Sequence, residues 1–196
     1  MVPGQLRDQP ETRRWHEFPR FKRLNEITWG DNPDLQKCLE LSMEQVEETP
    51  DFGVAYDRLA DIQIRIGREC EALTTYRAAL EQARCVSGVL DSLGTKFVDA
   101  EDGPRCLDCF AAAILAQSPP CSEQNPYLYL AAICDEIEMS NAAESCLQVV
   151  DRFENAERLL EELANKVRRP FRGKASTYQP RAIALLSQML EEERLD

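Results

Sequence analysis

A step of 34 residues carries one stretch of this chain onto the next. Residues 53–84 contain Tyr56-x2-Leu59-Ala60, then Gly67, then Ala72-x3-Tyr76-x2-Ala79. Moved forward by 34, Leu59 falls on Leu93, Ala60 on Gly94, Ala72 on Cys106, Tyr76 on Phe110 and Ala79 on Ala113. A further step of 37 gives Tyr127-x2-Leu130-Ala131-x2-Cys134 and Ala143-x3-Leu147-x2-Val150, the extra length falling in the proline-bearing loop Ser118–Pro126. Stepping backwards by 34 aligns Cys38 with Ala72, and Pro50 closes that helix; Ser42 and Gln45 stand where an aromatic and an alanine are expected, so this first unit is degenerate. Self-similarity at a period of this size marks an array of supersecondary units, none of which buries its apolar face alone.

Each unit reads as a helix, a tight turn and a second helix. Tyr56, Leu59, Ala60, Ile62 and Ile66 follow helical spacing. Gly67 is suited to the left-handed conformation that closes a helix. Glu69–Ala83 is rich in strong helix formers. Small residues at Ala60, Gly94, Ala131, Ala72, Cys106 and Ala143 let paired helices approach, while Tyr76, Phe110 and Leu147 fill the gap to the next unit. These residues have a packing role that accounts for them without any chemistry.

The pattern resembles the tetratricopeptide repeat family, whose units of 34 residues read W-x2-L-G-x2-Y, then A-x3-F, then P. Leu93, Gly94, Phe97, Phe110 and Ala113 carry the resemblance in one unit, and Leu59, Gly67, Ala72, Tyr76 and Ala79 in another. It covers residues 34–157, although no tryptophan opens a unit and Gln63 replaces the family's tyrosine. The resemblance implies an all-α fold, a right-handed α-solenoid of helix-turn-helix repeats. It also implies that the first helix of each unit lines a concave binding surface. The positions so implied are Asp57, Asp61 and Ile64, then Asp91, Thr95 and Val98, then Leu128, Ala132 and Asp135. Family members that grip a terminal carboxylate use Lys, Asn and Arg there, and Asp57 and Asp61 have the wrong sign for that ligand.

Charge narrows the partner. The net charge is −12, and residues 25–165 alone hold ten basic against twenty-eight acidic side chains. An acidic body repels a phosphate backbone, so nucleic acid is not expected on it. Lys166, Arg168, Arg169, Arg172 and Lys174 form a compact basic segment, read first as a solvated surface. The longest uncharged run, Phe110 to Ser122, is too short to span a bilayer. The residues after Met1 lack the apolar core of a signal peptide, so the expected location is the cytoplasm.

Eight cysteines raise the question of a metal or a disulfide framework. Cys106-x2-Cys109 is the sharpest candidate, but it has no second C-x-x-C, and the single histidine, His16, is distant in sequence. The expectation is small buried apolar residues, no metal and no cofactor. No base stands beside a nucleophile and no phosphate-binding loop occurs, so no enzyme is expected.

The domain reading is a flexible arm over residues 1–19 with Trp15 and Phe18, a repeat domain over 20–167, a basic linker over 168–179 and an amphipathic capping helix over 180–196. Arg20–Trp29 reads as a short helix before the turn Gly30-Asp31-Asn32-Pro33, and Asn155–Val167 as a longer one. The expected function is an interaction module or adaptor, taking a basic or mixed basic/apolar peptide or helix in an acidic groove. Two alternatives stand beside it: a structural subunit of an oligomer or larger assembly, and an RNA-binding helical-repeat protein using Arg168, Arg169, Arg172 and Lys174. No small-molecule substrate and no membrane are expected.

Overall fold

Helix periodicity dominates the chain, and the described residues of a computed structural model form ten α-helices with no strand. The structure describes residues 7–9, 19–28, 33–150 and 155–195. Trp15, His16, Phe18 and the turn expected at Gly30–Asn32 lie outside the described residues, as does most of the expected arm.

Two compact units divide the chain, one of Asp8–Val89 and the other of Met1–Arg7 with Leu90–Asp196. The first holds α1 (Pro19–Thr28), α2 (Leu35–Glu48), α3 (Gly53–Arg65) and α4 (Glu69–Gln82). Asp34 starts α2 by accepting from the Lys37 amide at 3.0 Å, a side-chain cap for an otherwise orphaned donor. Here α1 packs on α2, α2 on α3 and α3 on α4. Ser42 and Gln45, the polar residues of the degenerate unit, are fully buried and hydrogen-bonded, although the Gln45 Oε1 has no partner. The Ser42 hydroxyl donates to the Cys38 carbonyl (2.8 Å), and the Gln45 amide donates to the Thr49 hydroxyl (2.9 Å). Gln63, at the family's tyrosine position, accepts from the Thr75 hydroxyl at 2.8 Å.

The chain passes from one unit to the other in the first turn of α5 (Ser87–Asp99). The second unit continues with α6 (Gly103–Ala116), α7 (Asn125–Glu136), α8 (Ser140–Val150), α9 (Ala156–Phe171) and α10 (Ala175–Glu191). Nine consecutive residues of α7, Pro126 to Cys134, are buried. That is the pattern of a helix covered all round, and α6, α8 and α9 each pack against it. The Phe110 ring stacks on Tyr129 with centroids 4.3 Å apart and 11° between planes. Gly94 supplies the room: a Cβ there would lie 2.9 Å from the Phe110 ring.

The helix-closing turn recurs at the step read in the sequence. Gly67, Glu101 and Glu138 all have left-handed backbone, with φ of 80°, 56° and 63°. At each, two hydrogen bonds close the helix: Gly67 N–H to Ile64 and Arg68 to Gln63, Glu101 to Val98 and Asp102 to Phe97, Glu138 to Asp135 and Met139 to Cys134. This paired 5→2 and 6→1 arrangement is the Schellman motif. Asp102 then caps the next helix, accepting from the Arg105 amide at 3.2 Å. Glutamate pays a steric penalty in this conformation that glycine avoids. Glu101→Gly and Glu138→Gly are each expected to raise stability by about 0.5–1 kcal/mol in urea unfolding. A fall in the unfolding midpoint for both would contradict the strained-turn assignment.

Three expectations about the ends change. The single repeat domain over 20–167 is replaced by the two units, and the C-terminal helices belong to the second one's core. The linker expected over 168–179 is instead the end of α9, a short turn at Arg172–Lys174 and the start of α10. Pro170 and Gly173 suggested an open linker, but Pro170 sits in the last turn of α9 and Gly173 takes φ 68° in the turn. The last helix begins at Ala175 rather than at Pro180, because Tyr178, in its first turns, is buried against Phe171.

Candidate functional site

The residues expected to line a binding surface fall in both units. In the first, Asp57, Asp61 and Ile64 follow one another along α3 and are all half-buried. Spacing of three to four residues puts them on one helix face. The Tyr76 hydroxyl donates to Asp57 Oδ1 at 3.4 Å. Burial pushes the Tyr76 phenol far above its ordinary range, and the Asp57 and Asp61 carboxylates push it further in the same direction. The tyrosine therefore stays neutral and acts as a donor. Asp57 and Asp61 both have further interactions within the fold, so this acidic face is tied to the core beneath it.

In the second unit Asp91 and Thr95 are half-buried on α5 and Asp135 is exposed at the end of α7. Asp91 Oδ2 accepts from the Asn125 amide at 2.7 Å, and the Thr95 hydroxyl donates to the Asp91 carbonyl at 3.1 Å. Burial raises the Tyr129 phenol; a hydrogen bond with Thr95 opposes this, while the Asp91 and Asp99 carboxylates add to it. Val98, Leu128 and Ala132, expected on the same surface, belong to the hydrophobic core. For Leu128 and Ala132, both on α7, the cause is simple. With α6, α8 and α9 all packed on α7, no face of that helix is left for a partner along Pro126–Cys134.

The basic residues Lys166, Arg168, Arg169, Arg172 and Lys174 are all exposed. Arg168 lies 3.7 Å from Glu136, and Lys174 Nζ donates to the Pro170 carbonyl at 2.9 Å. Arg168 and Arg169 stand in the last turn of α9, where positive charge opposes the partial negative charge of the helix end.

The cysteines are free thiols, and Cys38, Cys106, Cys109, Cys134 and Cys146 are buried. Burial pushes Cys109 up to about 12, with the Asp108 and Asp102 carboxylates adding to it and Arg105 opposing; burial alone pushes Cys134 up to about 12. Burial therefore keeps these two thiols protonated at neutral pH. Among the described residues no three His, Cys, Asp or Glu side chains converge as a metal site. Nor is any helix among them long and apolar enough to cross a membrane.

One anchoring residue escaped the sequence reading. Asp8, within the expected arm, is buried in the first unit and accepts from the Val86 amide (2.7 Å), the Ser87 amide (2.9 Å) and the Ser87 hydroxyl (2.6 Å). Nothing in local composition signals a contact across 78 residues. No protein-family model, curated protein or solved structure matches the chain.

Proposed function

We propose that the chain is a tetratricopeptide-like helical-repeat module that binds a protein segment and carries out no chemistry. The observation that carries this reading is the recurrence of one closing turn at Gly67, Glu101 and Glu138, at steps of 34 and 37 residues. The same register puts buried small residues at Ala60, Gly94 and Ala131 and at Ala72, Cys106 and Ala143. In a right-handed α-solenoid of such units the first helices face the ligand. With Val98, Leu128 and Ala132 assigned to the core, the second unit keeps only Asp91, Thr95 and Asp135 of the expected surface, and the proposed binding face is that of the first unit: Asp57, Asp61 and Ile64. Its ligand is a basic or mixed basic/apolar peptide or helix, matched to carboxylates by charge.

Affinity capture from cell extract, read by quantitative mass spectrometry, tests this with Asp57→Lys/Asp61→Lys against the native chain. Recovery of the native partner is expected to fall by about tenfold, the equivalent of about 1.4 kcal/mol. Equal recovery by a variant with an unchanged helical circular dichroism spectrum would sink the assignment. Light scattering separates an adaptor that is monomeric alone from a subunit of an oligomer.

A further inference from the structure

The last helix presents two apolar stripes, and packing uses only one. Tyr178, Ala182, Leu185 and Met189 are buried in the core. Ile183 and Leu190, one heptad apart on another face, remain 55% and 54% exposed. With Leu186 and Ser187 they line, from α10, a groove of about 250 Å³ that is lined from α8 by Asn141, Ala142 and Ser145 and also by Leu195. Exposed large apolar side chains grouped around a concavity mark interaction sites more often than singly scattered ones do.

The charges nearest this groove in the chain are mostly negative. The ionisable residues of α8 and of the turn before it are Glu144 and Glu138, both exposed. On α10 beyond Ile183 and just past its end they are Glu191, Glu192, Glu193 and Arg194. The cations nearby are already committed. Arg194 is buried and donates to the Gln117 carbonyl at 2.6 Å, Arg181 pairs with Asp108, and Arg7 pairs with Glu192. What remains is an apolar trough whose lining residues have exposed carboxylates next to them in the chain, Glu144 beside Ser145 and Glu191 beside Leu190. A second copy would bring the same carboxylates and a net charge of −12 to meet it, and an anionic lipid surface would be repelled in the same way.

We infer that the α8–α10 groove is a docking site for a basic amphipathic segment of another protein, whose apolar stripe covers Ile183 and Leu190 while its Lys or Arg side chains meet Glu144, Glu191 and Glu193. An amphipathic helix laid into a hydrophobic groove, with anchors spaced by whole turns, is a recurrent recognition mode. This surface is separate from the α3 carboxylates and does not depend on the solenoid reading.

Fluorescence anisotropy with two labelled peptides tests it, both with leucines along one helical stripe, one with lysines elsewhere and the other with glutamates. The lysine peptide is expected to bind the full chain and the glutamate peptide to bind at least tenfold more weakly. Ile183→Ser/Leu190→Ser, at two exposed positions, should weaken the lysine peptide by about tenfold with an unaltered thermal melt. Glu191→Gln/Glu193→Gln should weaken it less and flatten its salt dependence. Asp57→Lys/Asp61→Lys should leave it unchanged, and a loss of affinity there would move the peptide to the other acidic face and overturn the proposal. Equal affinity in the Ile183/Leu190 variant, or no binding of the lysine peptide, would also overturn it. So would a concentration-dependent dimer abolished by that variant, which would give the groove to a second copy.

Discussion

Phe110→Ala is expected to destabilise the unit that contains it by on the order of 3–5 kcal/mol, the range for truncating a fully buried aromatic. The ring is 0% exposed and lies face to face with Tyr129. Its surroundings include Gly94, which has no side chain to move into the space. The cavity therefore stays open, and the cost adds lost stacking to lost transfer energy. Gly94→Ala offers an internal check. Alone it forces a Cβ to 2.9 Å from the Phe110 ring and should destabilise; in the Phe110→Ala background the same methyl group has room and should cost less. Urea unfolding of the four proteins gives the coupling directly. A loss below about 1 kcal/mol for Phe110→Ala, or strict additivity of the pair, would mean that Phe110 and Gly94 do not share one packed site.

This pair shows which part of the fold was legible. The 34-residue step paired Tyr76 with Phe110 and Ala60 with Gly94, and all four are buried, because large and small apolar residues at contact positions are a direct imprint of packing. Gly67 was readable as a helix end, since glycine favours left-handed backbone. The equivalent turns at Glu101 and Glu138 carry no such residue and show only in φ. The candidate site was less legible. Asp57, Asp61, Ile64, Asp91, Thr95 and Asp135 keep at least partial exposure, but Val98, Leu128 and Ala132 do not. The burial of Leu128 and Ala132 depends on how many neighbours pack on α7, which is a tertiary fact beyond the reach of periodicity in one helix. Asp8 is the extreme case, a buried anchor in a segment whose composition reads as an arm.

The C-terminus poses the same question energetically, and Phe171→Ala answers it. A detachable cap would make Phe171 a local contact. Instead it is 0% exposed, meets Tyr178 edge-on at 4.8 Å between centroids, and belongs to the same apolar cluster as Phe110, Tyr127 and Leu130. With α9 packed on α7 and α10 on α6, removing the ring opens a cavity in the apolar cluster that these helices share. A loss on the order of 3–5 kcal/mol is expected, and it should be felt throughout the unit rather than at its end. Hydrogen exchange separates the two cases, because local opening and unfolding of a whole cooperative unit protect different amides. In Phe171→Ala, exchange should accelerate in α7 as well as in α9 and α10. If α7 keeps its native protection while α9 and α10 alone exchange faster, the last two helices are a cap that opens by itself. The groove between α8 and α10 would then be rigid only while that cap is closed.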